Sequence, residues 1–377
     1  MTCGGRCWQS VSDRLDPPPV SPLRVIDLFA GCGGLSEGFR STGLYEPTVA
    51  VEQDLFAAAT YAANFGEDHV YHGDIADWVQ GDLPEADVVV GGPPCQGFSN
   101  LGAKREDDLR NELWARYVDT LVKVRPKAFL LENVDRFLKT RQFGEFRAQF
   151  GKGGRLSDYE IDVDVLRATD FGSAQLRKRA IVIGTHRDIE KIPVPSTRVS
   201  AAAWRTVKHA LGDLEPRIPQ GHVDLPKGRE CSVFGETVPG VYTARELHIT
   251  RSYTPLSQQR FSAIPTGGNR FNLPDELKAP CWRKHTSGAG DVMGRLVWDK
   301  PSVTIRTEFF KPEKGRYLHP DEDRALSHLE AARLQGFSDD FKWCGSKLEI
   351  ARQIGNAVPV EFAAALANHI EEHLRNS

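Results

Sequence analysis

The segment Arg24-Val-Ile-Asp-Leu-Phe-Ala-Gly-Cys-Gly-Gly34 runs an apolar stretch of strand length straight into a glycine turn, and a helix-like stretch, Ser36 to Ser41, follows it. A turn of this kind lets a ligand approach the backbone and the helix N-terminus. The dinucleotide fingerprint G-x-G-x-x-G would need glycine at position 36, which is Ser36, so a nicotinamide cofactor fits imperfectly. Further along, strand-like runs keep alternating with helix-like ones: Thr48 to Glu52, Leu55 to Asn64, Val88 to Val90, Leu113 to Val124, Ala128 to Leu131. That alternation implies a parallel sheet covered by helices on both faces. Tyr159 to Leu166 and Arg179 to Gly184 have the spacing of a hairpin and would extend the sheet at one edge. Leu326 to Gln335 and Val360 to Leu374 read as helices, the latter apolar at Phe362, Leu366, Ile370 and Leu374. The expected fold is α/β, a doubly wound sheet with a second, smaller, loop-rich domain.

The chain has 377 residues with 48 basic and 51 acidic side chains, a formal charge of −3. Its 40% apolar and 26% charged content is ordinary for a globular protein and excludes disordered, collagen-like and coiled-coil classes. No window approaches the roughly 18 consecutive apolar residues of a membrane span, and the opening residues lack the apolar core of a secretory signal, so a cytoplasmic location is expected. Seven cysteines, an odd number, are then expected as reduced thiols. Cys3 and Cys7 form a C-x3-C pair without a second pair at suitable spacing, and no metal is expected. The proline-rich Asp16 to Pro22 is a stiff linker, so residues 1–22 form an extension and folded structure starts near Leu23. From about Ile192 to Gly294 the chain is rich in Pro, Gly, Ser and Thr, with a turn cluster at Thr266-Gly267-Gly268-Asn269. Residues 185–295 carry 16 Lys or Arg against 11 Asp or Glu, a net +5 that leaves −8 for the remainder.

Several residues stand where chemistry could occur. Glu52 ends the second strand, where a carboxylate can accept bonds from ribose hydroxyls, and Asp74 ends a third strand–helix unit. In Val88-Val-Val-Gly-Gly-Pro-Pro-Cys-Gln-Gly-Phe-Ser99 an apolar strand ends in glycines and prolines that turn the chain sharply and present Cys95 at the rim of the sheet. A sulfur nucleophile belongs in such a place, where cationic groups or a helix N-terminus favour its thiolate. Glu132, at the end of Ala128-Phe-Leu-Leu-Glu132, can face the same crevice as an acid or hydrogen-bond partner. Gln175, Arg177 and Arg179 alternate as on a strand and share one face. His369-Ile-Glu-Glu-His373 matches H-x-x-E-H but sits on the last helix with little chain left for a third ligand. Gly151-Lys152-Gly153-Gly154 lacks the spacing and hydroxyl residue of a P-loop.

Together these segments resemble, in order and spacing, the cytosine-5 DNA methyltransferase family of the bacterial restriction–modification type. Asp27 to Gly34 is similar to its first cofactor motif, Gly92 to Ser99 to its nucleophile loop, Glu132-Asn-Val134 to its catalytic carboxylate and Gln175-x-Arg177-x-Arg179 to its arginine motif. Arg333-Leu-Gln-Gly-Phe337 and Gln353-Ile-Gly-Asn-Ala-Val-Pro359 resemble its last two blocks. The resemblance implies S-adenosylmethionine bound by Phe29, Ala30, Gly31, Cys32, Gly33, Gly34, Glu52, Gln53, Asp74, Ile75, Pro94, Leu113, Asn356, Ala357 and Val358. It implies a catalytic set of Cys95, Glu132, Arg177 and Arg179. The target cytosine would be flipped out of the duplex, because ring atoms inside a stacked pair cannot be reached. A mobile loop from Gln96 to Arg116, bearing Ser99, Gly102, Lys104 and Arg105, would close over the base. Residues 23–191, completed by 345–377, would bind the cofactor and carry catalysis, while residues 192–344 would recognise the target.

The arginine motif departs from many relatives in being preceded by Gly172-Ser-Ala rather than a proline, and Gln335-Gly336 carries glycine at a variable position. The alternative substrate is transfer RNA, whose cytosine-5 methyltransferases share these motifs; the long basic segment favours double-stranded DNA. A non-catalytic DNA-binding relative would be expected to lack Cys95 or Glu132, and both are present. A monomer is expected, as the protective partner of a cognate restriction endonuclease.

Overall fold

The computed structural model describes residues 21–94, 113–196, 198–219, 221–284 and 287–376. Five parallel strands form one side of its main sheet: β1 Leu23–Leu28, β2 Tyr45–Glu52, β3 Val70–His72, β4 Val88–Gly91 and β5 Ala128–Asn133. β6 Tyr159–Arg167 and β7 Lys178–His186 complete it as the expected hairpin, with β7 antiparallel to β5. The strand order is β3-β2-β1-β4-β5-β7-β6, so the direction of winding reverses between β1 and β4. In such a sheet the crevice outside the carboxyl ends of the strands, at that reversal, is where ligands bind.

The period of two along each strand sorts side chains onto two cores. Val25, Val88, Val90, Ala128, Leu130, Ile181 and Ile183 face one side, packed with Leu35 and Phe39 of helix α1 (Gly34–Ser41). Ile26, Leu28, Val89, Phe129, Leu131 and Val182 face the other. Helix α2 (Leu55–Phe65) follows β2, and α3 (Ile75–Trp78) follows β3. α4 (Leu113–Val124) and α5 (Arg141–Ala148) cover the second face through Tyr117, Val118, Leu121, Phe143 and Phe146.

Beyond Val194 regular structure thins, as the Pro- and Gly-rich composition implies. It comprises α6 (Val207–Leu211), a two-stranded hairpin of β8 (Glu230–Val233) and β9 (Glu236–Pro239), α7 (Pro255–Ser262) and α8 (Pro280–Lys284). The chain then enters α9 (His328–Leu334), α10 (Lys347–Asn356) and α11 (Val360–Asn376). α9 and α10 each start in a capping box, Ser327 with Glu330 and Ser346 with Glu349, which satisfies two orphan donors reciprocally. Their apolar faces join α6, Leu247, Ile305 and Phe309 in a separate core, which Cys32 and Ala174 also touch. α11 returns to the sheet: Phe362, Leu366 and Ile370 are buried against α1 and the first face, as their period near four predicts. His369 of this helix bonds the Pro193 carbonyl at 2.7 Å. No group of three His, Cys, Asp or Glu side chains is arranged to hold a metal among the described residues, and none of their helices is long and apolar enough to cross a membrane.

Candidate active site

The glycine turn after β1 is built on left-handed backbone. Phe29 has φ 58°, Gly31 57° and Gly33 94°, the region glycine enters without steric cost. Nothing lies within 4 Å of where a Gly31 side chain would begin, so the backbone there opens onto the crevice. The Gly31 N–H donates to Glu52 Oε2 at 2.8 Å, and the Asp54 N–H donates to Glu52 Oε1 at 2.7 Å. Burial raises the Glu52 carboxyl above its ordinary range, opposed by these two bonds. Each oxygen keeps acceptor capacity for a ligand hydroxyl. Asp74 lies two residues beyond the strand position paired with Glu52; it caps α3 by accepting from the Ala76 N–H at 2.8 Å. Ile75 is buried beneath it, and Gln53 is exposed.

Asn356, Ala357 and Val358 come to this turn from the far end of the chain. A Cβ added at Gly34 would lie 2.7 Å from the Val358 carbonyl oxygen and 3.2 Å from Ala357 Cβ, so the start of α1 and this segment are in contact. Cys32 is buried, with its thiol toward the Gln353 carbonyl, and burial pushes its pKa far up. It packs in the core that contains α9 and α10. Behind the turn, Ser36 donates to buried Asp27 at 2.8 Å and pairs with the Tyr61 hydroxyl at 2.8 Å. Burial raises the Asp27 carboxyl to about 7 against the Ser36 bond. Sequence reading passed over this network, although Asp27, Ser36 and Tyr61 are polar groups on otherwise apolar faces.

A second constellation lies at the ends of β4 and β5. Their register pairs Gly91 with Leu131, which sets the chain leaving β4 level with Glu132. A Cβ at Gly92 would be 3.1 Å from Glu132 Oε2, and the Asn133 side chain donates to the Pro93 carbonyl at 2.9 Å. Gly92, Pro93 and Pro94 are thereby held beside the carboxylate. Cys95 and residues 96–112 of the expected loop lie outside the described residues; its last four positions, Leu113 to Arg116, belong to α4 rather than to a loop. Glu132 is buried, and Arg179 Nε lies 2.6 Å from its Oε1.

Gln175, Arg177 and Arg179 do share one face, with Leu176 and Lys178 exposed between them. They do not converge on one spot. Gln175 and Arg177 precede β7 and are buried against α9, α10 and Ile305, whereas Arg179 alone reaches Glu132. Gln335 and Gln353, also buried and bonded to α10 or its flanks, were read only as parts of motifs.

The chain matches the model of the C-5 cytosine-specific DNA methylase family over residues 23–372. It belongs to that family. It is 32% identical over 359 residues to the type II methyltransferase M1.HphI of Haemophilus parahaemolyticus, covering 92% of this chain and 86% of that protein. It is 32% identical over 371 residues to the type II methyltransferase M.NgoPII of Neisseria gonorrhoeae, covering 95% and 98%. Among solved structures, a protein described as a DNA modification methyltransferase encoded within an E. coli prophage superposes with a TM-score of 0.67 at 25% identity, covering 94% of this chain and 99% of that one. The Dnmt2 methyltransferase of S. pombe, at 16% identity and a TM-score of 0.56, shares the fold. This C-5 cytosine-specific DNA methylase is thus a DNA (cytosine-5)-methyltransferase related to type II enzymes.

Proposed function

We propose that this enzyme transfers a methyl group from S-adenosylmethionine to carbon 5 of a cytosine flipped out of duplex DNA, within a short specific sequence and through a covalent Cys95 adduct. The observation that carries the reading is the Glu132 carboxylate, buried, paired with Arg179 at 2.6 Å and set beside the chain that leads into Cys95. The open backbone at Gly31, the paired acceptor Glu52 and the adjoining Val358 suit an adenosyl group with ribose hydroxyls. When bound, S-adenosylmethionine supplies an electrophilic methyl on a sulfonium.

Carbon 5 of cytosine is a poor nucleophile. Addition of the Cys95 thiolate to carbon 6 forms a carbon–sulfur bond and turns the ring into an enamine, whose carbon 5 can then take the methyl. Glu132 would hold ring N3 and the exocyclic amine, stabilising charge that develops as the thiolate adds. Arg179 fixes that carboxylate and would reach the base oxygen. Loss of the carbon 5 proton and expulsion of the thiolate restore aromaticity and the enzyme.

Residues 192–344 would recognise the target, with the basic excess of 185–295 drawing in phosphates before base edges are read. The enzyme would act as a cytoplasmic monomer that protects host DNA from a cognate endonuclease. Bisulfite sequencing of plasmid from cells expressing the protein, beside Cys95→Ala, tests the activity. Protection of cytosines in one short motif by the intact protein alone is expected; conversion everywhere, with the protein folded and binding S-adenosylmethionine, would overturn the DNA reading and turn attention to transfer RNA.

A further inference from the structure

The last carbonyls of an α-helix have no partner within it, and buried ones must be met from outside. At the C-terminal end of α10 two side chains from distant segments meet them. Arg177 Nη1 donates to the Gly355 carbonyl at 3.2 Å and Nη2 to that of Asn356 at 3.4 Å. Gln335 Nε2 donates to the Ile354 carbonyl and, at 3.3 Å, to that of Ala357. Four consecutive carbonyls, 354 to 357, are therefore held by side chains, one of them cationic at the negative end of the helix dipole.

The clamp is itself braced. Gln335 Oε1 accepts from Gln175 Nε2 at 2.8 Å, and Gln175 Oε1 accepts from the Ile305 N–H at 3.0 Å. Arg177 Nη1 also donates to the Ile305 carbonyl at 3.1 Å. All three side chains are buried. Burial, together with Arg179 nearby, lowers the Arg177 guanidinium to about 9, which leaves it a cation at neutral pH. Its Nε is buried without a hydrogen-bond partner, and its two Nη atoms donate to the Ile305, Gly355 and Asn356 carbonyls.

We propose that Arg177 and Gln335 are positioning residues that clamp the end of α10, and so hold Asn356, Ala357 and Val358 against the glycine turn, rather than groups that engage the base. This rests on the reading that those three residues line the S-adenosylmethionine site. Because the clamp spans Gln175, Gln335 and Ile305, it also ties the loop-rich half to the cofactor pocket.

The test compares wild type with Arg177→Met, Arg177→Lys and Gln335→Leu. S-adenosylmethionine affinity is measured by calorimetry, hydrogen exchange is followed over residues 350–360 without cofactor, and kinetics separate KM from kcat. Arg177→Met should weaken cofactor binding by about tenfold, the equivalent of one lost charge-assisted hydrogen bond. Exchange over 350–360 should quicken, the kinetic loss should fall on cofactor KM more than on kcat, and Arg177→Lys should recover part of the affinity. Unchanged exchange and cofactor affinity, with kcat reduced as far as in Arg179→Met, would overturn the proposal and place Arg177 on the substrate. If Arg177→Met does not fold, the same readouts on Arg177→Lys and Gln335→Leu decide. Wild type that binds no S-adenosylmethionine would sink the cofactor reading, while exchange alone would still judge the clamp.

Discussion

Arg179 Nε lies 2.6 Å from Glu132 Oε1, across the antiparallel pairing of β7 with β5. The pair joins a strand end to a position one residue inside a strand reached 47 residues later, so the carboxylate is oriented by the sheet rather than by a loop. Replacing Glu132 by Gln keeps its shape and removes its charge. Single-turnover methyl transfer should fall by about 10²–10³-fold, the range for deleting one oriented transition-state contact. DNA affinity should be little changed. A rate near that of wild type would remove Glu132 from the mechanism.

Gly31 is constrained twice, by its φ of 57° and by the open space before it. Gly31→Ala should cost roughly 1–2 kcal/mol of stability, because a Cβ disfavours the left-handed region. The new methyl would also project into the crevice, so S-adenosylmethionine affinity should fall further than stability. Chemical denaturation and calorimetry on the same variant separate the two. Equal affinity in the variant would argue that the cofactor does not approach this turn.

Asp27 gives a pH signature. Its folded pKa, raised by burial to about 7, exceeds the ordinary 3.8, so the folded state holds the proton more tightly than the unfolded chain. The associated stability is complete below pH 3.8 and is lost as pH rises through about 7. A shift of this size corresponds to about 4 kcal/mol, to order of magnitude. Asp27→Asn should flatten the dependence of unfolding free energy on pH between about 4 and 7. Parallel curves for wild type and variant would show that Asp27 does not titrate in this window.

The core of the loop-rich half contains a buried fork. Arg324 donates to Glu330 at 2.8 and 2.6 Å, with Glu330 fully buried. Burial alone would raise the Glu330 carboxyl, and the Arg324 bonds outweigh it and hold it low. Arg324→Met would strand a buried charge and should destabilise the protein by about 3–5 kcal/mol. The double variant Arg324→Met with Glu330→Gln should recover part of that loss in thermal melts. A double variant no more stable than the single one would mean that packing, not charge, dominates at this site.

Much of this architecture is legible in local pattern. The alternation from Arg24 to Leu131 predicts β1, β2, β4 and β5 and α1, α2 and α4 to within a few residues, because period two and period 3.6 are properties of neighbouring side chains; β3, only three residues long, is not among those runs. The hairpin of β6 and β7 and the helix α11 follow from the same signal. α10 escaped it, although Ser346-x-x-Glu349 is a capping-box signature, because its apolar positions are few and interrupted by Arg352 and Gln353. The hairpin of β8 and β9 lies in a stretch whose short apolar runs give no clear period.

Order along the chain is enough to say which residues stand at strand ends: Gly31, Glu52, Pro94 and Glu132 each follow an apolar run, and a doubly wound sheet gathers such ends into one crevice. It is also enough to put Gln175, Arg177 and Arg179 on a common face. Where each of them goes was settled by packing alone. Arg179 meets Glu132, whereas Arg177 bonds carbonyls 178 and 179 residues away at the end of α10. The physical reason is that alternation specifies a direction from the backbone but not the partner waiting there. That partner is set by how the loop-rich half packs against the sheet, where orphan helix carbonyls must be satisfied wherever the fold buries them.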